Sequence, residues 1–157
     1  MPAIVTASSL TRRFGRLTAV NALSFSVERG EVFGIVGPDG AGKTTTLRML
    51  TGILEPSAGT ASVAGFDVGR ESELVKERIG YMSQRFGLYS DLTVMENITF
   101  YADLYSVPVK GRSEAVGRLL EFSNLAPFKD RLAGNLSGGM KQKLGLACTL
   151  IHKPLVL

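Results

Sequence analysis

The sequence predicts an α/β layered domain. Three observations carry that prediction. A nearly all-apolar run, Val32-Phe33-Gly34-Ile35-Val36, leads into the glycine-rich Gly37-Pro38-Asp39-Gly40-Ala41-Gly42; a helix follows at once; and the second half of the chain has helical spacing throughout. Taken in order, Ile4–Ser8 and Leu23–Val27 are short β-prone runs, the second alternating apolar and polar residues at period two. Arg29-Gly30-Glu31 reads as a turn, and Val32–Val36 as a strand buried on both faces. Lys43–Thr51 is a helix closed by Gly52. A turn at Pro56–Gly59 precedes a strand at Thr60–Ala64, a polar helix at Glu71–Arg78 and a short strand at Ile79–Met82. Thr93 and Glu96 form a capping box that opens a helix over Val94–Tyr105. Ser113–Phe122 is a second helix of this half. Ser137 starts a third, with Met140, Leu144, Cys148 and Ile151 on one face, and Leu155–Leu157 begins one more buried strand.

Composition bounds the function. The 157 residues are 45% hydrophobic and 20% charged, the balance of one globular domain rather than a disordered chain. The longest oily stretch, Leu144–Ile151, is far short of the roughly 20 residues of a membrane span. A single cysteine, Cys148, excludes an internal disulfide and a cysteine-cluster metal site, and reads as a small core residue. Met1–Thr11 has no signal-peptide pattern, so the reducing cytoplasm is the expected compartment. The net charge of +4 permits an anionic partner. Its basic groups, among them Arg12, Arg13, Arg16, Lys141 and Lys143, are scattered as on ordinary solvated faces, unlike the stripe of a nucleic-acid binder.

Gly37 to Thr44, G-P-D-G-A-G-K-T, matches the phosphate-binding loop pattern in full. Glycines let consecutive N–H groups point inward at phosphate oxygens, and the following helix adds its positive dipole end. Lys43 is long enough to reach β- and γ-phosphates, the Thr44 hydroxyl suits Mg²⁺, and Thr45 offers a hydroxyl to the α-phosphate. Leu136-Ser137-Gly138-Gly139-Met140 is a second informative motif: an N-cap serine and two glycines expose first-turn amides, either as a second anion site or as a plain capped junction.

With these two motifs in this order, the chain resembles the nucleotide-binding subunit of ATP-binding cassette (ABC) transporters. Gly37–Thr44 is similar to the family's Walker A loop, Gln84 to the Q-loop glutamine, Leu136–Met140 to the signature sequence, and Phe14-Gly15 to the aromatic site that stacks on adenine. Phe86-Gly87-Leu88-Tyr89 and Leu92–Asn97 are most similar to bacterial drug-efflux and related exporter ATPases. The resemblance implies a P-loop NTPase (RecA-like) core with an antiparallel β-subdomain and an inserted helical subdomain. It implies a β-rich core with the loop over about 1–85, a helical subdomain with the signature over about 86–153, and the start of the Walker B strand at 154–157. Three residues depart from the family's usual choice, Phe14 for tyrosine, Asp39 for asparagine and Met140 for glutamine.

The resemblance also implies the site. ATP is held by Phe14, Gly37, Pro38, Asp39, Gly40, Ala41, Gly42, Lys43, Thr44, Thr45 and Gln84, and Val20 either pads the base or is plain core. Mg²⁺ is held by Thr44 and Gln84, with Gln84 also positioning water. Ser137, Gly138, Gly139 and Met140 contact the ATP of a second subunit, so that two cassettes pair head to tail through ATP. The segment around Gln84–Tyr89 either docks a transmembrane permease or is a turn covered by the chain's own helices. Location is then cytoplasmic, peripheral on the inner face of the plasma membrane. The family's acidic pair and later histidine would follow Leu157. The chain therefore reads as truncated, with hydrolysis near background and a marginally stable, aggregation-prone fold expected. His152 reads as a surface residue, not a substitute for that histidine. A soluble ABC ATPase on ribosomes or nucleic acid is the alternative, and a generic P-loop kinase or GTPase would leave Gln84 and Ser137-Gly138-Gly139 unexplained. Lys43 and Ser137 lie too close in sequence for the coiled coil of the DNA-repair relatives.

Overall fold

Alternation of apolar and polar residues at the start of the chain builds an antiparallel sheet. The structure, a computed structural model, describes residues 3–83 and 87–157. The chain divides into two units, one running to Ile79 with Val156 added, the other Gly80–Leu155 with Leu157.

In the first unit, β1 (Ala3–Phe14) and β2 (Leu17–Glu28) form a hairpin about Gly15. They are longer than the expected Ile4–Ser8 and Leu23–Val27, because the alternation changes parity within each strand. In β1, Val5 and Ala7 face the core, and then Leu10 does. The register slips between Ala7 and Leu10, where Ser9 has a φ of 49°. In β2, Val20 and then Leu23, Phe25 and Val27 turn inward, with Ala22 at φ 47° between. A bulged residue resets which face each side chain takes. Side chains bond the backbone groups at these bulges: Ser9 N–H donates to Ser24 Oγ (2.8 Å) and Ala22 N–H to Thr11 Oγ1 (2.9 Å). β3 (Ala58–Val63) and β4 (Phe66–Asp67) complete the sheet in the order β2-β1-β3-β4. The helices α1 (Lys43–Leu50) and α2 (Ser72–Arg78) bring Met49 and Val75, both fully buried, to the sheet's apolar cluster.

Val32–Val36 corrects the sequence expectation. It is not a strand, and Val32 and Val36 are 100% and 95% exposed. A doubly buried strand needs a ladder along each edge, and among the described residues none runs beside it. Phe33 instead stacks on Phe25, ring centroids 5.1 Å apart. The strands expected at Ile79–Met82 and Leu155–Leu157 shrink to one parallel bridge, Ile79 to Val156.

The second unit is helical. α3 (Val94–Leu104), α4 (Arg112–Phe122) and α5 (Gly138–Leu150), with 3₁₀ turns at Ala126–Phe128 and Ala133–Asn135, enclose a core that includes Ile98, Leu120, Leu125 and Leu144. The capping box forms as expected: Glu96 N–H donates to Thr93 Oγ1, and Thr93 N–H to Glu96 Oε2. Leu144, Cys148 and Ile151 are buried on the predicted face, with Met140 packed beside them. Burial pushes the Cys148 thiol up to about 12, so it is a core residue and not a nucleophile. His152 is half-buried rather than a surface residue. Its ring stacks on Tyr105 at 3.8 Å, since an imidazole's flat apolar faces pack as readily as a phenol's.

Candidate phosphate-binding site

Gly37–Ala41 is exposed, and its backbone turns back on itself through Ala41 N–H to Pro38 O (3.2 Å). Gly40 and Gly42 hold φ near +80° and +87°, a region that favours glycine. At Gly42 a second constraint acts: a Cβ there would lie 2.3 Å from Ala19 O and 3.0 Å from Val20 Cγ2. The loop is thus seated directly on β2. Val20 is 6% exposed and packs in the core against this glycine, too buried to present a face to a base.

Helix α1 begins at Lys43, and Gly42 provides no side-chain cap. Its first-turn amides are therefore left for a ligand or water, at the helix's positive end. The Lys43 ammonium donates to Gly37 O (2.6 Å) and Pro38 O (2.7 Å), bending over the loop onto two neutral carbonyls. A polyphosphate would replace those acceptors with charged ones, so the donor set fits an anion. Thr44 is exposed at the first turn and Thr45 half-buried, while Thr46 is buried and bonds Gly42 O, locking helix to loop. Asp39 is exposed on the loop.

Phe14 ends β1 and is 46% exposed. The Arg12 guanidinium lies over its ring, 4.7 Å from the centroid, and Arg12 is half-buried rather than freely solvated. Sequence reasoning missed this. The signal was the i, i+2 spacing, which puts both side chains on one face of a strand.

The ABC transporter family model matches residues 20–157. The chain belongs to the ABC transporter family. It is 54% identical over 157 residues to the probable multidrug ABC transporter ATP-binding protein YbhF of Escherichia coli (99% of this chain, 27% of that protein). To the Nod factor export ATP-binding protein I of Burkholderia orbicola it is 42% identical over 149 residues (95% and 49%). It is also similar to the solved structure of cbiO1 from Clostridium perfringens, described as part of the ABC transporter complex cbiONQ: TM-score 0.85, 26% identity, 97% of this chain and 62% of that one. The chain thus spans about a quarter to a half of the curated relatives it matches. The fold is that of ABC ATPase subunits, a P-loop NTPase core with an antiparallel β-sheet and a helical part.

In this ABC chain the signature-like residues open α5. Ser137 caps the helix, its Oγ accepting from Met140 N–H (3.3 Å). Ser137, Gly138 and Gly139 are exposed, and a Cβ on either glycine would meet nothing within 4 Å, so a ligand can approach the backbone closely. Met140 turns partly into the core. The loop lies in the first unit and the signature in the second. Gln84 and Phe86 lie outside the described residues. Gly87–Tyr89, also expected near a docking face, is gripped by α3. Tyr101 Oη donates to Gly87 O, Asn97 bonds both backbone groups of Tyr89, and the exposed Tyr89 ring meets Phe100 edge-on at 4.6 Å. Sequence reasoning missed Asn97, a polar residue that nothing in the pattern marks as buried. A cleft of about 390 Å³ in the second unit, between Tyr105, Lys110 and His152, contains none of the predicted site residues. Among the described residues no helix is long and apolar enough to cross a membrane.

Proposed function

We propose that this chain is the ATP-binding part of the energy-coupling ATPase of a bacterial ABC exporter, working with a membrane permease. The observation that carries the reading is the loop itself. An uncapped helix start, two left-handed glycines and a lysine folded over the loop together form a donor set that suits a charged acceptor. Gly37–Gly42 and the amides of Lys43, Thr44 and Thr45 would hold the phosphates, Lys43 would move from the loop carbonyls onto them, and Phe14 would carry the adenine. Thr44 and Gln84 would hold Mg²⁺, which when bound neutralises phosphate charge. The exposed Ser137–Met140 turn would meet the ATP of a second cassette, giving a head-to-tail pair about a two-fold axis. The export direction rests on the names of the relatives, a multidrug transporter subunit and a Nod factor export protein. Those names favour transport over the ribosomal or nucleic-acid alternative.

The test is ATP binding by isothermal titration calorimetry. Lys43→Ala should weaken binding at least about tenfold, the loss of one charge-assisted contact of roughly 1.5–3 kcal/mol. Unchanged affinity would remove the loop from the site.

A further inference from the structure

The base platform has a second component. We propose that Arg12 is a positioning residue for nucleotide binding: it holds and polarises the Phe14 ring so that the opposite face takes the base. The proposal rests on Phe14 being the adenine platform.

Three observations support it. Arg12 lies over one face of the Phe14 ring, and Phe14 is still 46% exposed. Arg12 Nε is buried without a hydrogen-bond partner, so the guanidinium is held over the ring rather than freely solvated. Finally, Arg12 Nη1 donates to Glu55 O (2.7 Å). The Glu55–Ser57 turn is bound to the same strand by Ser57 N–H to Thr11 O (2.8 Å) and Arg13 N–H to Ser57 Oγ (3.0 Å). Just before it, the Ile53 and Leu54 amides both donate to Arg48 O at the end of α1.

These contacts have a mechanical consequence. At its start, α1 is seated through Gly42 on Ala19 and Val20, and Val20 pairs with Arg12 across the hairpin. At its far end, α1 reaches Arg12 through the 53–57 segment. The helix that would hold the phosphates and the ring that would hold the base are thereby fixed to one ladder, with Arg12 at both attachments. There is an electronic consequence as well. Two π faces repel when stacked squarely because both are electron-rich, and a cation behind one of them offsets that repulsion.

The experiment titrates the 157-residue chain with ATP and, separately, with inorganic tripolyphosphate, which has no base. Phe14→Ala should weaken ATP and spare tripolyphosphate. Arg12→Met should raise the ATP Kd about three- to fivefold, leave tripolyphosphate unchanged, and add nothing further in the Phe14→Ala background. Arg12→Lys, which keeps the cation, should recover part of the loss. If Arg12→Met does not fold, Arg12→Gln is read in the same way; it removes the charge but keeps an amide donor toward Glu55. An equal effect on both ligands, or on neither, would overturn the role of Arg12 while Phe14 stands. If Phe14→Ala leaves the ratio of the two ligands unchanged, the platform reading fails and this proposal fails with it. Wild-type chain that binds neither ligand would remove the loop reading, and with it the base platform.

Discussion

Asn97 is wholly buried, yet every polar atom of its side chain is used. Its Oδ1 accepts from Tyr89 N–H at 2.9 Å, and its Nδ2 donates to the carbonyls of Tyr89, Leu92 and Thr93. The three carbonyls also accept backbone N–H groups, from Leu92, Ala133 and Asn97 itself, so the group that depends on the Asn97 side chain is the Tyr89 N–H on the way into α3. Asn97→Leu keeps the volume, leaves the three carbonyls their backbone donors and takes the partner from Tyr89 N–H. It should cost about 1–3 kcal/mol in urea unfolding, the scale of leaving one buried donor unpaired. It should also free Tyr89, visible as faster amide exchange at Gly87–Tyr89 than elsewhere in the second unit. A loss below about 1 kcal/mol would mean that water replaces the side chain.

At the scale of elements, the caps and the helices were legible, and the strands only in part. Thr93-x-x-Glu96 announces α3 because both partners of the box lie within four residues. The same locality made Ser137 readable as the cap of α5 and Gly52, at φ 68°, as the stop after α1. β1 and β2 were truncated in the reading because Ser9 and Ala22 shift the alternation, and a parity change looks like the end of a strand. Val32–Val36 shows a different limit: apolar composition reports a preference for burial, not the presence of a neighbour to supply it. The glycine loop was readable because one continuous segment holds it. Arg12 was not, since its partners, Phe14 and Glu55, lie on a strand face and in a turn far along the chain. The α3 cap also carries a pH dependence. The Thr93 backbone amide, and then its hydroxyl, hold the Glu96 carboxyl below the ordinary carboxylate range. A folded value lower than the unfolded one gives stability that is present above the unfolded value and lost as pH falls through the folded one. The urea midpoint of the wild type should therefore exceed that of Glu96→Gln at pH 7, and the two should converge as the pH falls below the ordinary carboxylate range. A gap that persists in acid would assign the effect to side-chain shape instead of charge.

At the scale of the whole molecule, the surface records what the sheet leaves uncovered. Val32 and Val36 are almost fully solvated on either side of Phe33 and Ile35, in a five-residue run with no charge and no proline. Their backbone lies outside every described ladder. Unpaired amides beside β-branched side chains are the composition that adds strands from another copy, and a net charge of +4 over 157 residues opposes this only weakly. The 157-residue chain should therefore show a sedimentation coefficient that rises with concentration. Val32→Lys with Val36→Lys should move it toward the monomer, because two charges on the run oppose pairing without touching a buried residue. Circular dichroism should be unchanged by the pair, since neither valine packs in either core. If the doubly charged chain associates as strongly as the wild type, the contact lies elsewhere, and other exposed apolar residues such as Leu104, Phe122 and Leu157 become the next positions to charge.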